Sequence, residues 1–202
     1  MSYHHGNLRE ALLQAATDLL VREGPQKLSL RATARQAGVS PTAPYRHFAE
    51  KEELLAAVGQ RGFALLQQEL EARLQGVEEP REQLHQVGLG YVEFAQHNPH
   101  LFRLMFGPLM AKEVEYPDLT LSCQASFGVL LGVIAEGQAR GVFRQGDPEV
   151  LGTAAWSTVH GIAHLALDGQ LPPRKQQKFQ SIQGMLRAVG DLLIDGLVER
   201  PC

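Results

Sequence analysis

The sequence predicts an all-α protein of about nine helices. Apolar residues recur at spacings of three and four along most of the chain, and residues that start or end helices separate these runs. No alternation of apolar and polar residues is long enough for a sheet, and no internal repeat or low-complexity segment is present. We therefore expect a small N-terminal group of helices followed by a larger helical body.

Composition and charge narrow the class of protein. Cys123 and Cys202 are the two cysteines, and their spacing fits neither a disulfide framework nor a zinc site. The chain has no uninterrupted apolar run of membrane-spanning length and no signal-peptide pattern, so we expect a soluble, cytoplasmic protein without a membrane partner. Residues 1–62 carry eight Lys and Arg against six Asp and Glu, whereas residues 63–202 carry eleven against sixteen. This asymmetry favours nucleic-acid contact through the N-terminal part.

The first helix is predicted to start at Asn7. Asn7 followed by Glu10 is a variant of the capping box, and Gly24 with Pro25 marks the end of the helix. Between these signals, apolar residues lie at helical spacing: Leu8, Ala11, Leu12, Ala15, Leu19 and Leu20.

Two short helices with a tight turn between them are predicted over residues 29–48. Ser29 can cap the first helix, and Gly38 lies where a left-handed residue would end it. Ser40 and Pro41 then supply a cap and a first-turn proline for the second helix. Two helices joined by so short a turn form the helix-turn-helix layout.

The start of the second helix is predicted to face DNA bases. In a helix-turn-helix unit the first residues of the second helix lie against base edges in the major groove, here Pro41, Thr42 and Ala43 behind the Ser40 cap. Only Thr42 among them offers a polar base contact, while Pro41 and Ala43 offer apolar contact to a thymine methyl group.

The same segment supplies donors for the phosphate backbone. Tyr45, His47 and Lys51 follow within the next turns and can donate to phosphate oxygens, which fixes the register of a protein on a duplex. Arg31 and Thr33, in the first turns of the preceding helix, can each add one contact to the backbone or a base. The segment therefore offers more side chains that can contact the phosphate backbone than side chains that can read bases.

Start and stop signals predict six further helices. They are expected at about residues 52–76, 80–97, 98–106, 118–140, 147–169 and 174–198.

The run AGVSPTAPYRHFAEKEELL at residues 37–55 resembles the signature of the TetR family of repressors. The resemblance extends over about residues 6–66 and implies a three-helix DNA-binding domain there, with Phe48 in its core. Position by position, it implies two base contacts and three phosphate contacts: Thr42, Ala43, Tyr45, His47 and Lys51. Pro44 departs from the pattern, because many family members have an aliphatic residue there. Since proline removes an early helical hydrogen bond, we expect a strained recognition helix.

A second resemblance covers the body at about residues 80–190. The spacing W-x-x-x-H-G from Trp156 to Gly161 resembles a C-terminal regulatory domain found in part of the TetR family, and FRLMF at residues 102–106 looks like the same domain. We expect this ligand-binding and dimerisation domain at residues 80–198. The residues predicted to line an apolar pocket for an unknown small effector are Phe94, Phe102, Met105, Phe106, Phe127, Trp156 and His160. A solid apolar core is the alternative.

Two pairs of side chains have the spacing of a metal-binding site on a helix. His160 and His164 are one helical turn apart, as are Glu93 and His97, and side chains at this spacing can chelate a metal ion. No further ligands can be assigned. We therefore expect a buried His160 bonded to a neighbouring helix, a surface His97 near a helix end, and neither a metal nor a cofactor.

The last helix presents a broad apolar face. Its members are Phe179, Ile182, Met185, Leu186, Val189, Leu193 and Leu197. The TetR resemblance implies that this helix and the helix from Leu151 to Leu167 form half of a four-helix interface in a homodimer. Part of the same face can also pack inside its own subunit.

These features favour a transcription regulator. The leading hypothesis is a homodimeric repressor that binds a pseudo-palindromic operator in double-stranded DNA and is released by a small apolar effector. A DNA-binding regulator whose body senses a metal or a partner protein is the alternative. A small helical enzyme that uses His160 and His164 is a remote third reading, because no catalytic triad order, P-loop, dinucleotide fingerprint or zinc-protease motif is present.

Overall fold

The computed structural model describes residues 8–111, 115–171 and 181–197. These residues form eight α-helices and two 3₁₀ helices and contain no β-strand, so the all-α prediction is confirmed. The α-helices are α1 (Leu8–Glu23), α2 (Leu30–Gln36), α3 (Lys51–Leu74), α4 (Pro80–His97), α5 (Pro99–Met105), α6 (Pro117–Ala139), α7 (Pro148–Leu167) and α8 (Ile182–Leu197). The 3₁₀ helices are Ala43–Arg46 and Pro108–Ala111.

Local capping explains several helix ends. Ser29 Oγ accepts a hydrogen bond from the Ala32 N–H at 3.1 Å and starts α2, while Asp147 Oδ1 accepts one from the Glu149 N–H at 2.9 Å and starts α7. Gly38 follows α2 with a φ of 68°, in the left-handed region that favours glycine. The sequence predicted the Ser29 cap and the left-handed Gly38, and it predicted a helix that starts at about residue 147.

Some predictions fall outside the described residues. The Asn7 cap of the first helix, the start of the last helix near residue 174, and Phe179 all lie there.

The chain divides into two compact units. The N-terminal unit comprises Met1–Ala64 and Asn98–Cys123, and the C-terminal unit comprises Leu65–His97 and Gln124–Cys202. Helix α5 therefore packs with the N-terminal unit, although the sequence places it within the helical body. The domain bounds of 6–66 and 80–198 remain a prediction.

In the N-terminal unit, α1 packs against α2 and α5. Phe48 is fully buried, as the family resemblance implies. The Phe63 and Phe106 rings meet edge to face with 5.3 Å between their centroids. A Cβ atom at Gly62 would lie 2.6 Å from the Met105 sulfur, so glycine at this position lets α5 approach α3 closely.

In the C-terminal unit, α4 packs against α7 and α8. Two cross-links between α4 and α8 follow the antiparallel course of these helices: Arg81 bonds to Asp195 at 2.9 Å, and His85 bonds to Asp191 at 2.9 Å. The apolar Ile194 beside them is buried. Helix α8 is thus held to its own subunit by both polar and apolar contacts.

Helix α6 is unusually apolar. It has 23 residues, with a mean hydropathy of 1.5 over an 18-residue stretch, and it is the one helix of the described ranges that is long and apolar enough to cross a bilayer. A single such helix is weak evidence for a membrane protein, because core helices of soluble proteins have the same properties.

Candidate nucleic-acid interface

The second element of the helix-turn-helix, residues 40–47, is not an α-helix: it consists of the 3₁₀ helix Ala43–Arg46 with turn residues before and after it. The Ala43 N–H bonds to the Ser40 carbonyl at 3.0 Å and the His47 N–H bonds to the Pro44 carbonyl at 2.9 Å, both with the short 3₁₀ spacing. Pro44 has no N–H to donate to the Ser40 carbonyl, which removes the first α-helical bond of the segment. We call residues 40–47 the recognition segment.

Three of the predicted base-facing or phosphate-facing side chains lie on its exposed side. Pro41 and Thr42 are exposed, and Tyr45 exposes 52% of its surface. Ser40, also exposed, has its Oγ 3.2 Å from the Thr42 Oγ1. This local hydrogen bond orients the Thr42 hydroxyl.

Two side chains predicted to contact DNA are buried in this structure. Ala43 exposes 9% of its surface, because the 3₁₀ helix turns its side chain toward the interior of the N-terminal unit. Thr33 exposes 0%, because this position of α2 faces the core. Its Oγ1 has no hydrogen-bond partner among the described residues. Neither side chain is available to a duplex in this conformation.

The remaining predicted contacts differ in exposure. Arg31 on α2 and Lys51 at the start of α3 are exposed, while His47 is half-buried. Lys51 Nζ lies 3.4 Å from the Pro25 carbonyl oxygen, a weak exposed contact that a phosphate can replace. Arg31 and Lys51 are therefore available as cationic donors, and His47 presents only part of its ring.

Arg46 is an exposed cation that the sequence reasoning missed. It is the last residue of the 3₁₀ helix and has no ion-pair or hydrogen-bond partner among the described residues. The signal was its position between Tyr45 and His47, both predicted to contact phosphates.

The C-terminal unit contains a cluster of polar aromatic side chains, which we call the Tyr–Trp–His cluster: Tyr91, Trp156, His160 and His164. The Trp156 indole N–H donates to the Tyr91 hydroxyl at 3.1 Å, and that hydroxyl lies 2.7 Å from His160 Nδ1. The rings of His160 and His164 are 4.5 Å apart. The cluster therefore links α4 to α7 through side chains distant in sequence.

Burial lowers the pKa of His160, and the neighbouring His164 lowers this pKa further. The lowered pKa favours the neutral form of His160. The ring is bonded to the neighbouring helix α4, as expected from the sequence, but it is half-buried and not buried. His97 is exposed at the end of α4. Among the described residues no group of three His, Cys, Asp or Glu side chains can hold a metal ion.

The residues predicted to line one pocket fall into the two compact units. Phe102, Met105 and Phe106 belong to the N-terminal unit, where the Phe102 and Phe106 rings are 4.8 Å apart. In the C-terminal unit, Phe127 meets Trp156 at 6.3 Å, and Trp156 meets His160 at 5.0 Å between ring centroids. The last predicted lining residue, Phe94, is a buried residue of this unit.

The predicted dimer helices each have an inner and an outer face. On α8, Met185 and Leu186 are buried within the subunit, while Leu192 exposes 75% of its surface. On α7, Trp156 and His160 contact Tyr91 of α4. The exposed positions of α7 are Glu149 in the first turn and, beyond it, uncharged residues: Val150, Thr153, Ala154, Ser157, Gly161 and Leu165. In the W-x-x-x-H-G motif, tryptophan and histidine thus join the cluster, and Gly161 lies on the outer face.

Comparison with known proteins places this arrangement among bacterial regulators. Residues 12–58 match the model of the family described as bacterial regulatory proteins, tetR family, and residues 84–189 match that of the tetracyclin repressor-like C-terminal domain. Among solved structures, a protein with unknown function from Rhodococcus sp. RHA1 is 32% identical with a TM-score of 0.83, covering 98% of this chain and 100% of its own.

Two further solved structures share the fold at lower identity. The TetR family transcriptional regulator PfmR from Thermus thermophilus is 23% identical with a TM-score of 0.66, over 94% of this chain and 99% of its own. The transcriptional regulator FadR from Bacillus subtilis, solved in complex with stearoyl-CoA, is 17% identical with a TM-score of 0.73, over 93% of this chain and 98% of its own.

Proposed function

Because this chain belongs to the tetR family of bacterial regulatory proteins and is a DNA-binding transcriptional regulator, we propose that it acts as a homodimeric repressor. A small apolar effector bound by the C-terminal unit releases it from its operator. The observation that carries the DNA-binding half of this proposal is the exposed face of the recognition segment.

On that face, Thr42 and Tyr45 project from a segment whose other side is anchored by buried Ala43 and Pro44. In the proposed complex the segment enters the major groove, where Thr42 and Pro41 meet base edges. Tyr45, Lys51 and Arg31 hold the phosphate backbone, with His47 in a lesser role. In a homodimer, two such segments meet half-sites about one duplex turn apart, which requires a pseudo-palindromic operator.

The exposed face of α7, which carries no charged residue after Glu149 in the first turn, supports dimerisation. Ala154, Ser157 and Gly161 are small exposed residues that let a second helix approach closely, and Val150 and Leu165 add apolar surface. On α8, the largely exposed Leu192 extends the apolar surface available to a partner. Two copies of α7 and α8 then form a four-helix interface.

The effector is proposed to bind beside the Tyr–Trp–His cluster. Phe127, Trp156 and His160 are half-buried rings, and Trp156 meets both of the others, which suits an apolar ligand with few polar groups. FadR from Bacillus subtilis, which has this fold, was solved with stearoyl-CoA, and this supports a ligand with an apolar chain. Release follows if the effector binds better to a conformation whose recognition segments no longer match the operator spacing.

The central experiment is selection of bound duplexes from a random DNA pool, followed by gel-shift titration of the selected sequence. We expect a two-fold symmetric site and a mass in solution twice that of the chain. Binding that is indifferent to sequence and persists only at low salt would contradict the proposal. For the effector, a ligand specific for the native state must raise the melting temperature and lower affinity for the selected duplex.

A further inference from the structure

We infer that Arg46 reads a guanine in the major groove, and this inference rests on the proposed DNA-binding function. Arg46 ends the 3₁₀ helix Ala43–Arg46 and is exposed, together with Pro41, Thr42 and Tyr45 of the same segment. The next residue, His47, is already half-buried. Arg46 therefore lies on the face of the recognition segment that is proposed to enter the groove.

Four of the seven other basic side chains of residues 8–62 have partners within the N-terminal unit. The Arg9 guanidinium lies 5.4 Å from the centre of the Phe48 ring. Arg22 and Arg61 bond to acidic side chains, and Lys51 Nζ lies 3.4 Å from a backbone carbonyl. The basic residues of positions 8–62 without such a partner are Lys27, Arg31, Arg35 and Arg46. Only Arg46 among these four belongs to the recognition segment.

The chemistry of the exposed side chains separates Arg46 from its neighbours. Pro41 has no hydrogen-bonding side chain, and the Thr42 hydroxyl is engaged with Ser40 at 3.2 Å. Tyr45 carries a single hydroxyl. A guanidinium presents several N–H donors in a planar fork, which matches the O6 and N7 acceptors of guanine in two parallel hydrogen bonds. Arg46 is thus the residue of this face best equipped to distinguish guanine from the other bases.

A phosphate contact is the competing role for Arg46. A side chain that holds a phosphate weakens binding to every sequence when it is removed, and it lowers the slope of log affinity against log salt by about one. A side chain that reads a base loses discrimination at one base pair instead. The two roles therefore give different results with the same variants.

The experiment uses the full-length chain and the duplex selected by the wild-type protein. Each guanine of a half-site is replaced in turn by 7-deazaguanine, which lacks the N7 acceptor, and by adenine. Affinities are measured for the wild type, Arg46→Lys, Arg46→Ala and Arg144→Ala. Arg46→Lys keeps the charge and loses the planar fork. Arg144 is exposed in the C-terminal unit, so Arg144→Ala controls for the loss of one positive charge.

We expect one guanine per half-site to be read by Arg46. Replacing this guanine by adenine should lower the affinity of the wild type and of Arg144→Ala about tenfold or more, and replacing it by 7-deazaguanine should lower the affinity less. At that position Arg46→Ala should discriminate little, and Arg46→Lys should discriminate less than the wild type, because lysine can donate to guanine but lacks the fixed fork. Arg46→Lys should keep the wild-type salt dependence. The inference is overturned if both Arg46 variants retain every base preference, or if Arg46→Ala weakens all duplexes equally. Failure of the wild type to select any sequence would instead refute the proposed function.

Discussion

The recognition segment and the Tyr–Trp–His cluster are built over very different sequence distances. Around the recognition segment, Ser40 bonds to Thr42 two residues away, and Glu53 accepts from the Ala49 N–H four residues away. In the cluster, Tyr91 bonds to side chains 65 and 69 residues away. Local bonds preserve an exposed face for a ligand, whereas distant bonds fix helix against helix. A tyrosine in the cluster and a tyrosine in the recognition segment should therefore differ in what their substitution changes.

The largest test of this contrast is the same substitution at two tyrosines. Tyr91→Phe removes a hydroxyl that bonds to both Trp156 and His160, so it should lower the free energy of unfolding by about 1–3 kcal/mol. Tyr45→Phe, at an exposed position, should change the free energy of unfolding by less than about 0.5 kcal/mol. It should nevertheless weaken DNA binding across all sequences, because a phosphate donor is lost.

Urea unfolding and gel-shift titration of both variants measure these effects. If the two substitutions lowered the free energy of unfolding equally, the cluster would contribute no more to stability than the recognition segment, which would contradict the proposed contrast. Unchanged DNA affinity of Tyr45→Phe would remove this residue from the proposed phosphate contacts.

A smaller effect is expected from pH. The pKa of His160 is lowered in the folded protein by burial and by His164, so below the ordinary histidine pKa the unfolded chain binds more protons than the folded one. The contribution of neutral His160 is therefore complete above about pH 6.5 and is lost as the pH falls through the lowered pKa. Stability of the wild type should therefore decline over the pH range that starts at about 6.5 and extends downward.

His160→Phe is the variant that checks this assignment. It loses the Tyr91 hydrogen bond and should be less stable at the upper end of this pH range, but its stability should depend less on pH over the same range. His97→Asn, at an exposed position of α4, should keep the wild-type dependence. A wild-type stability that rises on acidification would contradict the role of His160.

The contrast between local and long-range bonds explains which features the sequence could predict. The caps at Ser29 and Asp147 and the left-handed Gly38 depend on neighbouring residues, and the sequence predicted the first cap, the glycine and a helix start at about residue 147. The sequence did not predict the 3₁₀ conformation or the burial of Ala43, although Pro44 predicted the loss of an early helical hydrogen bond. The bonds of Tyr91 to Trp156 and His160 depend on the packing of α4 against α7, which no local pattern specifies.

A second matched pair concerns two threonines. Thr33 Oγ1 is buried without a partner among the described residues, so Thr33→Val should stabilise the protein by up to about 1 kcal/mol and leave DNA binding unchanged. Thr42→Val, on the exposed face, should leave stability within about 0.5 kcal/mol and alter base preference. Thermal unfolding and duplex selection measure the two outcomes. A changed base preference in Thr33→Val would show that its burial does not persist on DNA.

The smallest effect is expected for an ion pair between α4 and α8. It joins residues far apart in sequence, but solvent weakens it. Arg81 and Asp195 are far apart in sequence, and they expose 41% and 67% of their side chains, so their 2.9 Å ion pair is screened by solvent. A double-mutant cycle of Arg81→Ala and Asp195→Ala, measured by urea unfolding, should give a coupling of about 0.2–1 kcal/mol that shrinks with added salt. A coupling as large as the Tyr91→Phe effect would mean that sequence separation alone, without burial, sets the strength of these contacts.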